Sequence, residues 1–320
     1  MARAIFVSGA NSGIGLALCR QLLVDHGCRV FMGARSLERG SAALASLALG
    51  PEPLSRATLV QCDVASEASV AAAAAAVRAA LGETASLFAL VNNAGTGLLH
   101  GSTKQQLIDT NFYGVVRMSA AFLPLLRKGG RIVNLGSGSG PTYVKALGVC
   151  DSARELVSPT SLAQIEAHIA AQLDGEASEK AYKGASVYRD NSVNSAQAAP
   201  HSPTLFAFFH SLPGPHPPRP VHLAGYGLSK AAMMAYTVVF AREHPDLIIT
   251  SCSPGFINTA MTHGYGATKG PEEGTPAILH CLFTVGPEST GFYFGSDAVR
   301  SPFHYMRNPG EPPFDGVAPF

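Results

Sequence analysis

The sequence predicts an α/β protein built on a doubly wound sheet of seven parallel strands. Three observations lead to that fold class. Short apolar runs alternate with segments of helical spacing, a glycine-rich turn joins the first run to the first helix, and the runs are apolar throughout. Continuously apolar strands are typical of a parallel sheet that helices cover on both faces. Such sheets bind ligands outside the carboxyl ends of their strands.

The alternation follows the chain in order. Apolar or β-branched runs predict seven strands, at Ala4 to Val7, Arg29 to Met32, Thr58 to Cys62, Leu87 to Val91, Arg131 to Leu135, Leu247 to Cys252 and Gly291 to Phe294. Apolar residues at helical spacing predict six helices, at Ile14 to Asp25, Leu37 to Leu47, Ser69 to Leu81, Gln105 to Leu126, Ser229 to Glu243 and Glu272 to Phe283. The regularity of the pattern favours one domain over residues 1–320.

The alternation stops between about Pro141 and His222. A helix is predicted there at Leu162 to Leu173, followed by polar residues and a Pro-rich stretch from His210 to Pro220. Structureless loops of that length are uncommon inside compact domains, so we expect an insertion that covers a functional site or is partly disordered. Four of its histidines have no metal-ligand spacing and predict solvated side chains rather than a metal site: His201, His210, His216 and His222.

Composition narrows the classes of function. The 320 residues carry a formal charge of 23 − 22 = +1, and only 14% of them are charged, which disfavours nucleic acid as a partner. The 6 cysteines include no C-x-x-C pair and are typical of buried thiols in a reducing compartment. The sequence contains no run of about 18 apolar residues. We expect a cytoplasmic protein that contacts no membrane.

The turn after the first strand has the spacing of a phosphate-binding turn. Gly9, Gly13 and Gly15 form the pattern G-x-x-x-G-x-G. Glycines let the backbone turn sharply and approach a pyrophosphate, while N–H groups at the start of the next helix point at the anion. Taken alone, the pattern would also suit a loop without a ligand. The residues predicted to contact a dinucleotide are Gly9, Asn11, Ser12, Gly13, Ile14 and Gly15.

Further motifs follow in the order of a known family. Val91-Asn92-Asn93-Ala94-Gly95 ends an apolar run, Tyr226-Gly227-Leu228-Ser229-Lys230 opens a helix, and Ser253-Pro254-Gly255 closes a later strand. Together with Asn111 and Ser137, these motifs resemble the short-chain dehydrogenase/reductase family.

The resemblance covers roughly residues 3–140 and 223–295. Within the family, the chain is most similar to the monomeric, NADPH-dependent carbonyl reductases. The features that carry this likeness are the segment from Ala267 to Gly274, the run from Thr110 to Gly114, and the long insertion before the tyrosine. The resemblance implies a Rossmann fold, a nicotinamide cofactor and hydride transfer to a carbonyl.

The end of the second strand bears on the choice of cofactor. An NAD enzyme would place an acidic residue there against the ribose 2′-hydroxyl. This chain has Arg35, which predicts NADP(H) because a guanidinium can pair the 2′-phosphate that a carboxylate would repel. An ordinary surface arginine is the alternative. Many NADP-specific relatives also carry a basic residue just before the second glycine of the turn, where this chain has Ser12.

The resemblance assigns cofactor contacts at the ends of further strands. Asp63 and Val64 match positions that contact the adenine, although Asp63 could instead cap the following helix. Asn92 and Asn93 would bond backbone and the cofactor ribose, with Ala94 beside them. The remaining positions are Pro254, Gly255 and Ile257, which would flank the nicotinamide amide, and Thr259, which would contact the amide or a phosphate.

Two segments have the spacing Y-x-x-x-K, and they begin at Tyr226 and Tyr265. The first opens a predicted long helix, where Tyr226 and Lys230 would be neighbours on one face. The second lies among glycines. We therefore interpret Tyr226 as the proton donor, and Tyr265 and Met261 as residues of a flexible substrate loop.

The resemblance implies a role for each polar residue of the site. A free tyrosine has a pKa of about 10, and Lys230 together with the oxidised nicotinamide is expected to lower the pKa of Tyr226. Tyr226 would protonate the developing alkoxide, and Ser137 would donate a second hydrogen bond to it, with Ser139 as the rival. Asn111 would hold a water that relays protons to Lys230, unless it is an ordinary helical asparagine.

The sequence therefore predicts an NADPH-dependent reductase of a ketone, aldehyde or quinone. Two alternatives stay open: a biosynthetic ketoreductase or alcohol dehydrogenase with the same site, and a regulatory protein that binds NADP without turnover. By resemblance, the helix at Leu162 to Leu173 should cover the face that other family members use to dimerise. Neighbouring parts of the insertion should wall the substrate site. We expect a monomer with a small-molecule carbonyl substrate.

Overall fold

The computed structural model describes residues 2–83, 85–97, 102–174 and 220–317. Its strands are β1 (Ala4–Val7), β2 (Arg29–Ala34), β3 (Ala57–Gln61), β4 (Leu87–Asn92), β5 (Leu126–Leu135), β6 (Ile248–Cys252), β7 (Tyr293–Phe294) and β8 (Arg300–Ser301). They form one eight-stranded sheet in the order β3-β2-β1-β4-β5-β6-β7-β8. Strands β1 to β7 pair in parallel, and β8 adds an antiparallel edge.

The α-helices that the structure describes are α1 (Gly13–Val24), α2 (Leu37–Ser46), α3 (Pro51–Ser55), α4 (Glu67–Leu81), α5 (Lys104–Ile108), α6 (Gly114–Phe122), α7 (Ser139–Leu147), α8 (Asp151–Val157), α9 (Leu162–Asp174), α10 (Pro220–Glu243) and α11 (Pro276–Phe283). A π-helical turn at Asp109–Tyr113 joins α5 to α6. Short 3₁₀ turns lie at Leu123–Leu125, Pro271–Gly274 and Pro287–Ser289.

Both faces of the sheet are buried, as the apolar strands predict. Successive residues of a strand point to opposite faces. Phe6 on β1 accordingly packs with Phe122 of α6, with ring centroids 4.5 Å apart, while its neighbours in the strand pack with α1 and α11. The predicted fold class, a doubly wound sheet with seven parallel strands, is confirmed. The short edge strand β8 was not predicted, because two residues carry no periodicity.

The predicted helix at Gln105 to Leu126 is wrong in detail. The structure divides this segment into α5, the π turn, α6 and a 3₁₀ turn that contains Pro124. Proline interrupts helical hydrogen bonding, so the helix ends before it and β5 begins at Leu126 rather than at Arg131.

The insertion contains more helix than the sequence predicted. The helix α7 was missed because its first turn, Ser139-Gly140-Pro141, has the composition of a loop. Proline is tolerated there because the first N–H groups of a helix have no partner within it. The helices α8 and α9 pack beside α10, with Ala153, Leu156 and Ile165 in the same buried cluster as α10 residues.

The helix α10 begins at Pro220, whereas the sequence placed its start at Ser229. Gly225 and Gly227 made the first turns look non-helical, because glycine is a poor helix former. Three of the histidines that we expected to be solvated, His201, His210 and His216, lie outside the described residues.

Candidate active site

The candidate site lies at the carboxyl edge of the sheet. In the strand order, β1 lies between β2 and β4, so the connections leaving β1 and β4 run in opposite directions along the sheet. That reversal opens a crevice at the carboxyl ends, the usual ligand position in doubly wound sheets. Every predicted site residue that the structure describes follows a strand end or lies on a helix beside that edge.

The glycine turn between β1 and α1 has no room for side chains. Gly9 and Gly13 have φ angles of +64° and +52°, which disfavour L-residues with side chains. A Cβ on Gly15 would collide with the main-chain oxygen of Gly9 and would lie 2.5 Å from Nδ2 of Asn93. The turn therefore presents bare backbone to a ligand.

The helix α1 offers free N–H groups at this turn. Its N-cap residue, Ser12, makes no side-chain capping bond, and the first turn holds no acidic residue. Both features favour an anion at the helix N-terminus. Thr259 lies over the same turn, because its methyl group would be 3.2 Å from a Cβ on Gly13.

The loop after β4 is tied to the glycine turn. The hydroxyl of Ser8 accepts hydrogen bonds from the backbone N–H groups of Asn93 and Ala94, both at 3.0 Å. The Asn93 amide donates to the main-chain oxygens of Ser8 and Gly9 at 2.8 and 3.2 Å. The Asn93 side chain thus binds the backbone of the glycine turn. The resemblance implied a backbone contact of this kind.

Asn92 points elsewhere. Its side chain is buried, and its amide donates to Oδ1 of Asn134 at 2.8 Å, while the Asn134 amide donates to Oγ1 of Thr237 at 3.0 Å. The buried side chain of Asn92 therefore links β4, β5 and α10, and its predicted role beside a cofactor ribose stays a prediction. Sequence reasoning missed this polar chain, which links residues far apart in sequence.

At the end of β2, Arg35 is exposed, and its guanidinium has no ion-pair partner among the described residues. Beyond β3, the carboxylate of Asp63 accepts from the N–H of Ala65 at 3.1 Å, while Ser66 is the N-cap of α4. The alternative role of Asp63 as that cap is thus taken by Ser66. Val64 is buried against Gly114 of α6.

The segment after β6 packs against the start of α1. Gly255 has a φ angle of +87°, and a Cβ on it would lie 3.1 Å from Cβ of Ser296. Farther along, Ile257 and Ile14 both pack on Gly274, at 2.9 and 3.1 Å from a Cβ built there. Ile257 of this segment therefore packs beside Ile14, at the start of α1.

Ser137, Tyr226 and Lys230 come together beyond the end of β5. The hydroxyl of Ser137 lies beside the phenol of Tyr226, within reach of a hydrogen bond that lowers the pKa of the tyrosine. Ser139, the rival of Ser137, uses its backbone N–H to donate to Oγ of Ser137 at 3.2 Å. The geometry therefore places Ser137, rather than Ser139, against the tyrosine.

The amine of Lys230 is buried beside these groups. Its Nζ donates to the main-chain oxygen of Leu135 at 2.8 Å and lies 5.8 Å from the centroid of the Tyr226 ring. A Cβ on Gly95 would be 3.7 Å from that Nζ and 3.2 Å from Oδ1 of Asn111. Lys230 and Asn111 thus flank the loop that follows β4.

Asn111 lies within the π turn, an arrangement frequent at functional sites. Its amide donates to the main-chain oxygen of Thr96 at 2.8 Å and to Oγ of Ser229 at 3.0 Å, and its Oδ1 accepts from the N–H of Thr96 at 2.9 Å. The side chain therefore joins the β4 loop to α10. The sequence contained no signal for the π turn.

Burial shifts the pKa values of Tyr226 and Lys230 in opposite directions. Burial raises the pKa of Tyr226 to about 12, against the opposing effect of its hydrogen bond with Ser137. Burial also lowers the pKa of Lys230 to about 8. The prediction that Lys230 and an oxidised nicotinamide together lower the pKa of Tyr226 stays a prediction, and burial acts against it because removal from water disfavours both charged forms.

The two Y-x-x-x-K segments lie in different settings. Tyr226 and Lys230 are one turn apart on α10, whereas Tyr265 lies in a turn at residues 261–266 and Lys269 is exposed. Met261 begins that turn, and its sulfur would lie 3.6 Å from a Cβ on Gly97. The same Cβ would be 2.8 Å from two carbons of the Tyr226 ring, so Met261 lies near the tyrosine.

Gly97 and Met306 are site residues that sequence reasoning missed. The requirement for glycine at position 97 arises only from the approach of the Tyr226 ring. Met306 reaches the site from the C-terminal segment, which showed no motif.

The described residues contain no group of histidine, cysteine, aspartate or glutamate side chains that could hold a metal ion. Among the helices in the described part of the chain, none has the length and hydropathy to cross a membrane.

Comparison with known proteins places the fold and site in context. The family described as "short chain dehydrogenase" matches residues 3–153. The (+)-neomenthol dehydrogenase of Arabidopsis thaliana is 28% identical over 324 residues, covering 92% of this chain and 96% of the relative. Carbonyl reductase [NADPH] 1 of Macaca fascicularis is 28% identical over 300 residues, covering 88% and 91%. The structure of salutaridine reductase from Papaver somniferum has a TM-score of 0.67 at 22% identity, covering 91% of this chain and 99% of that chain.

The fold and the named relatives define this protein as an oxidoreductase of the α/β class. The resemblance of the motifs to the short-chain dehydrogenase/reductase family is confirmed by the family match over residues 3–153 and by the nearly full-length dehydrogenase and reductase relatives. The family match ends at residue 153, before Tyr226 and Lys230.

Proposed function

We propose that this protein reduces the carbonyl group of a small molecule to an alcohol, with NADPH as the hydride donor. The observation that carries the proposal is the convergence of Ser137, Tyr226 and Lys230 beside a bare glycine turn. The names of the neomenthol dehydrogenase and carbonyl reductase relatives support the same reaction class.

The residues around the turn fit a dinucleotide. A Cβ on Gly15 would fill the space at the backbone of Gly9, and α1 begins without a capping side chain or a nearby acid. The backbone from Gly9 to Gly15 would hold the pyrophosphate, with Thr259 above it. When bound, the nicotinamide supplies the hydride.

The catalytic side chains would then act on the carbonyl oxygen. Tyr226, protonated because burial raises its pKa to about 12, donates its phenolic proton as negative charge develops there. Ser137 donates a second hydrogen bond to the same oxygen. Lys230 remains beside the tyrosine, and its ammonium form favours the phenolate left after proton transfer.

Preference for NADPH over NADH rests on Arg35. Its guanidinium is exposed at the end of β2 and pairs with no carboxylate in the described part of the chain, so it is available to a 2′-phosphate. Arg35→Asp should reverse the preference in kcat/KM, whereas Arg39→Asp on the same exposed surface should alter it less. Equal kcat/KM with both cofactors in the intact protein would refute the proposed preference.

The test of the reaction is a panel of ketones, aldehydes and quinones, assayed by the loss of NADPH absorbance. Tyr226→Phe should abolish turnover and leave NADPH affinity nearly unchanged, because the phenolic proton is needed only as charge develops on the carbonyl oxygen. Tyr265→Phe is the matched control and should retain activity. If Tyr265→Phe were inactive and Tyr226→Phe active, the proton donor would be Tyr265 and our assignment would be wrong.

We also propose that the protein is a monomer. The helices α8 and α9 pack on α10, the helix that carries Tyr226 and Lys230, and occupy a surface that a second copy would need for pairing through α10. Light scattering at micromolar concentration should give the mass of one chain. A stable dimer that pairs through α10 would contradict this proposal. The cytoplasmic location remains a prediction.

A further inference from the structure

The segment after β8 returns to the carboxyl edge of the sheet and is held there by a buried ion pair. Arg307 is only 6% exposed, and its guanidinium pairs with the carboxylate of Asp297. It also donates to Oγ of Ser301 at 3.0 Å and to the main-chain oxygen of Asn308 at 3.1 Å. A charge that is buried and paired in this way holds its segment in one position, because moving it would leave both ions unpaired.

The opposite end of this segment is fixed by aromatic packing. The ring of Phe303 stacks on Tyr293 of β7, with centroids 5.9 Å apart. Tyr293 is itself buried, with a ring carbon that would lie 3.5 Å from a Cβ on Gly136. Residues 303–307 therefore form a short bridge with both ends attached to the sheet.

Met306 lies on this bridge, beside the catalytic serine. Its Sδ would be only 2.6 Å from a Cβ on Gly138, and its Cγ would be 3.2 Å away. Gly138 directly follows Ser137, and its lack of a side chain is what admits the thioether. Met261 approaches the site from the Gly97 side of the Tyr226 ring.

We propose that Met306 is a specificity-determining residue that forms an apolar wall for the carbonyl substituent on the Ser137 side, and that Arg307 is the positioning residue that holds it. This assignment rests on the proposed carbonyl reduction. It predicts ketones that carry an apolar substituent, such as an alicyclic ring, on that side of the carbonyl. The oxygen of such a ketone would bond Ser137 and Tyr226, and its ring would contact a thioether.

The chemistry of methionine suits this position. The side chain is unbranched and polarisable, so it can follow an apolar ring and still restrict its size. One methylene in an apolar pocket changes discrimination between substrates by roughly 10-fold or more. Shortening Met306 should therefore favour larger substituents.

The experiment compares cyclohexanone with 2-isopropylcyclohexanone as substrates of the full chain with NADPH. Met306→Ala should raise the ratio of kcat/KM, larger ketone to smaller, by on the order of 10-fold, mainly through KM. The Kd for NADPH should not change, because Met306 lies on the substrate side. Met306→Leu, which conserves volume, and Tyr305→Ala, at an exposed neighbour, are the controls and should keep the original ratio.

A double-mutant cycle separates positioning from general stability. Asp297→Asn weakens the partner of Arg307 and should shift the ratio in the same direction as Met306→Ala. In the Met306→Ala background it should shift the ratio no further, because its effect passes through Met306. A merely structural role would lower both activities and cofactor affinity together, in either background. Should Asp297→Asn fail to fold, Arg307→Lys takes its place in the cycle.

The outcomes are distinguishable. If the intact chain binds NADPH but reduces no carbonyl compound in the wider panel, the proposed function fails and this assignment fails with it. If the chain reduces both ketones and Met306→Ala leaves their ratio unchanged, only the role of Met306 is overturned. An additive effect of Asp297→Asn in the Met306→Ala background overturns the positioning role of Arg307.

Discussion

The amine of Lys230 donates a hydrogen bond to the main-chain oxygen of Leu135 at 2.8 Å. The bond joins α10 to the last residue of β5, two positions before Ser137. It holds the lysine at the carboxyl edge before any ligand binds, while Nζ stays 5.8 Å from the centroid of the Tyr226 ring. The main-chain oxygen of Leu135, rather than Tyr226, therefore positions the lysine.

The first prediction concerns how Lys230 makes stability depend on pH. Its pKa falls from 10.5 to about 8 on folding, so the unfolded state holds more protons between those values. The cost of burying this amine is therefore complete below about pH 8 and decreases as the pH rises toward 10.5. Urea unfolding of the ligand-free chain at pH 7.5 and 9.5, compared with Lys230→Met, should show a relative gain for the intact chain of about 1–2 kcal/mol at the higher pH.

The control is Lys145→Met, at an exposed lysine of α7, which should track the intact chain at both pH values. No pH-dependent difference between Lys230→Met and the intact chain would mean that Lys230 is hydrated in solution.

The second prediction concerns Gly97. A Cβ there would lie 2.8 Å from Cδ2 and Cε2 of Tyr226, so Gly97→Ala should push the phenol away from Ser137. We expect kcat to fall by about 100-fold, the scale of misplaced acid–base groups, with NADPH affinity unchanged. Steady-state kinetics and a cofactor titration measure the two effects. Full activity in Gly97→Ala would show that the ring has room to move.

The third prediction concerns the glycine turn. Gly15→Ala would place its methyl group 2.5 Å from Nδ2 of Asn93 and should separate Asn93 from Gly9. We expect NADPH affinity to fall by at least about 10-fold, equivalent to about 1.4 kcal/mol. Gly50→Ala is the matched control, since a Cβ there meets nothing within 4 Å. Titration of NADPH fluorescence measures both, and equal affinities would argue against this turn as the cofactor site.

The fourth prediction concerns the buried amides inside the sheet. Asn134→Ala would remove the shorter hydrogen bond of the buried Asn92 amide and the hydrogen bond that the buried Thr237 hydroxyl accepts, leaving the Asn92 amide with Ser119 at 3.4 Å and the Thr237 hydroxyl with the main-chain oxygen of Met233. We expect the free energy of unfolding to fall by about 1–3 kcal/mol in urea unfolding. The exposed Asn258→Ala should stay within about 0.5 kcal/mol of the intact chain. If Asn134→Ala lowered the free energy of unfolding no more than Asn258→Ala does, water would replace the missing amide.

The pattern of strands and helices could be predicted because it is local. Apolar runs such as the one from Leu87 to Val91 identify parallel strands wherever they occur, and the glycine turn after β1 identifies a ligand edge. The predicted start of α10 at Ser229 was wrong, because the helix begins at Pro220. Gly225 and Gly227 lower helix propensity, and packing overrides it: a Cβ on Gly227 would be 2.9 Å from Cβ of Tyr143.

The sequence by itself determined the resemblance to a family, the sheet and the chain positions that reach its carboxyl edge. These follow from motifs and periodicities within short stretches. Only the tertiary structure decided which way each side chain faces there. It directs Asn92 into the interior, sets Ser137 rather than Ser139 against Tyr226, and brings Met306 beside Gly138. Those contacts join residues distant in sequence, and the burial that raises the Tyr226 pKa arises only when they pack together.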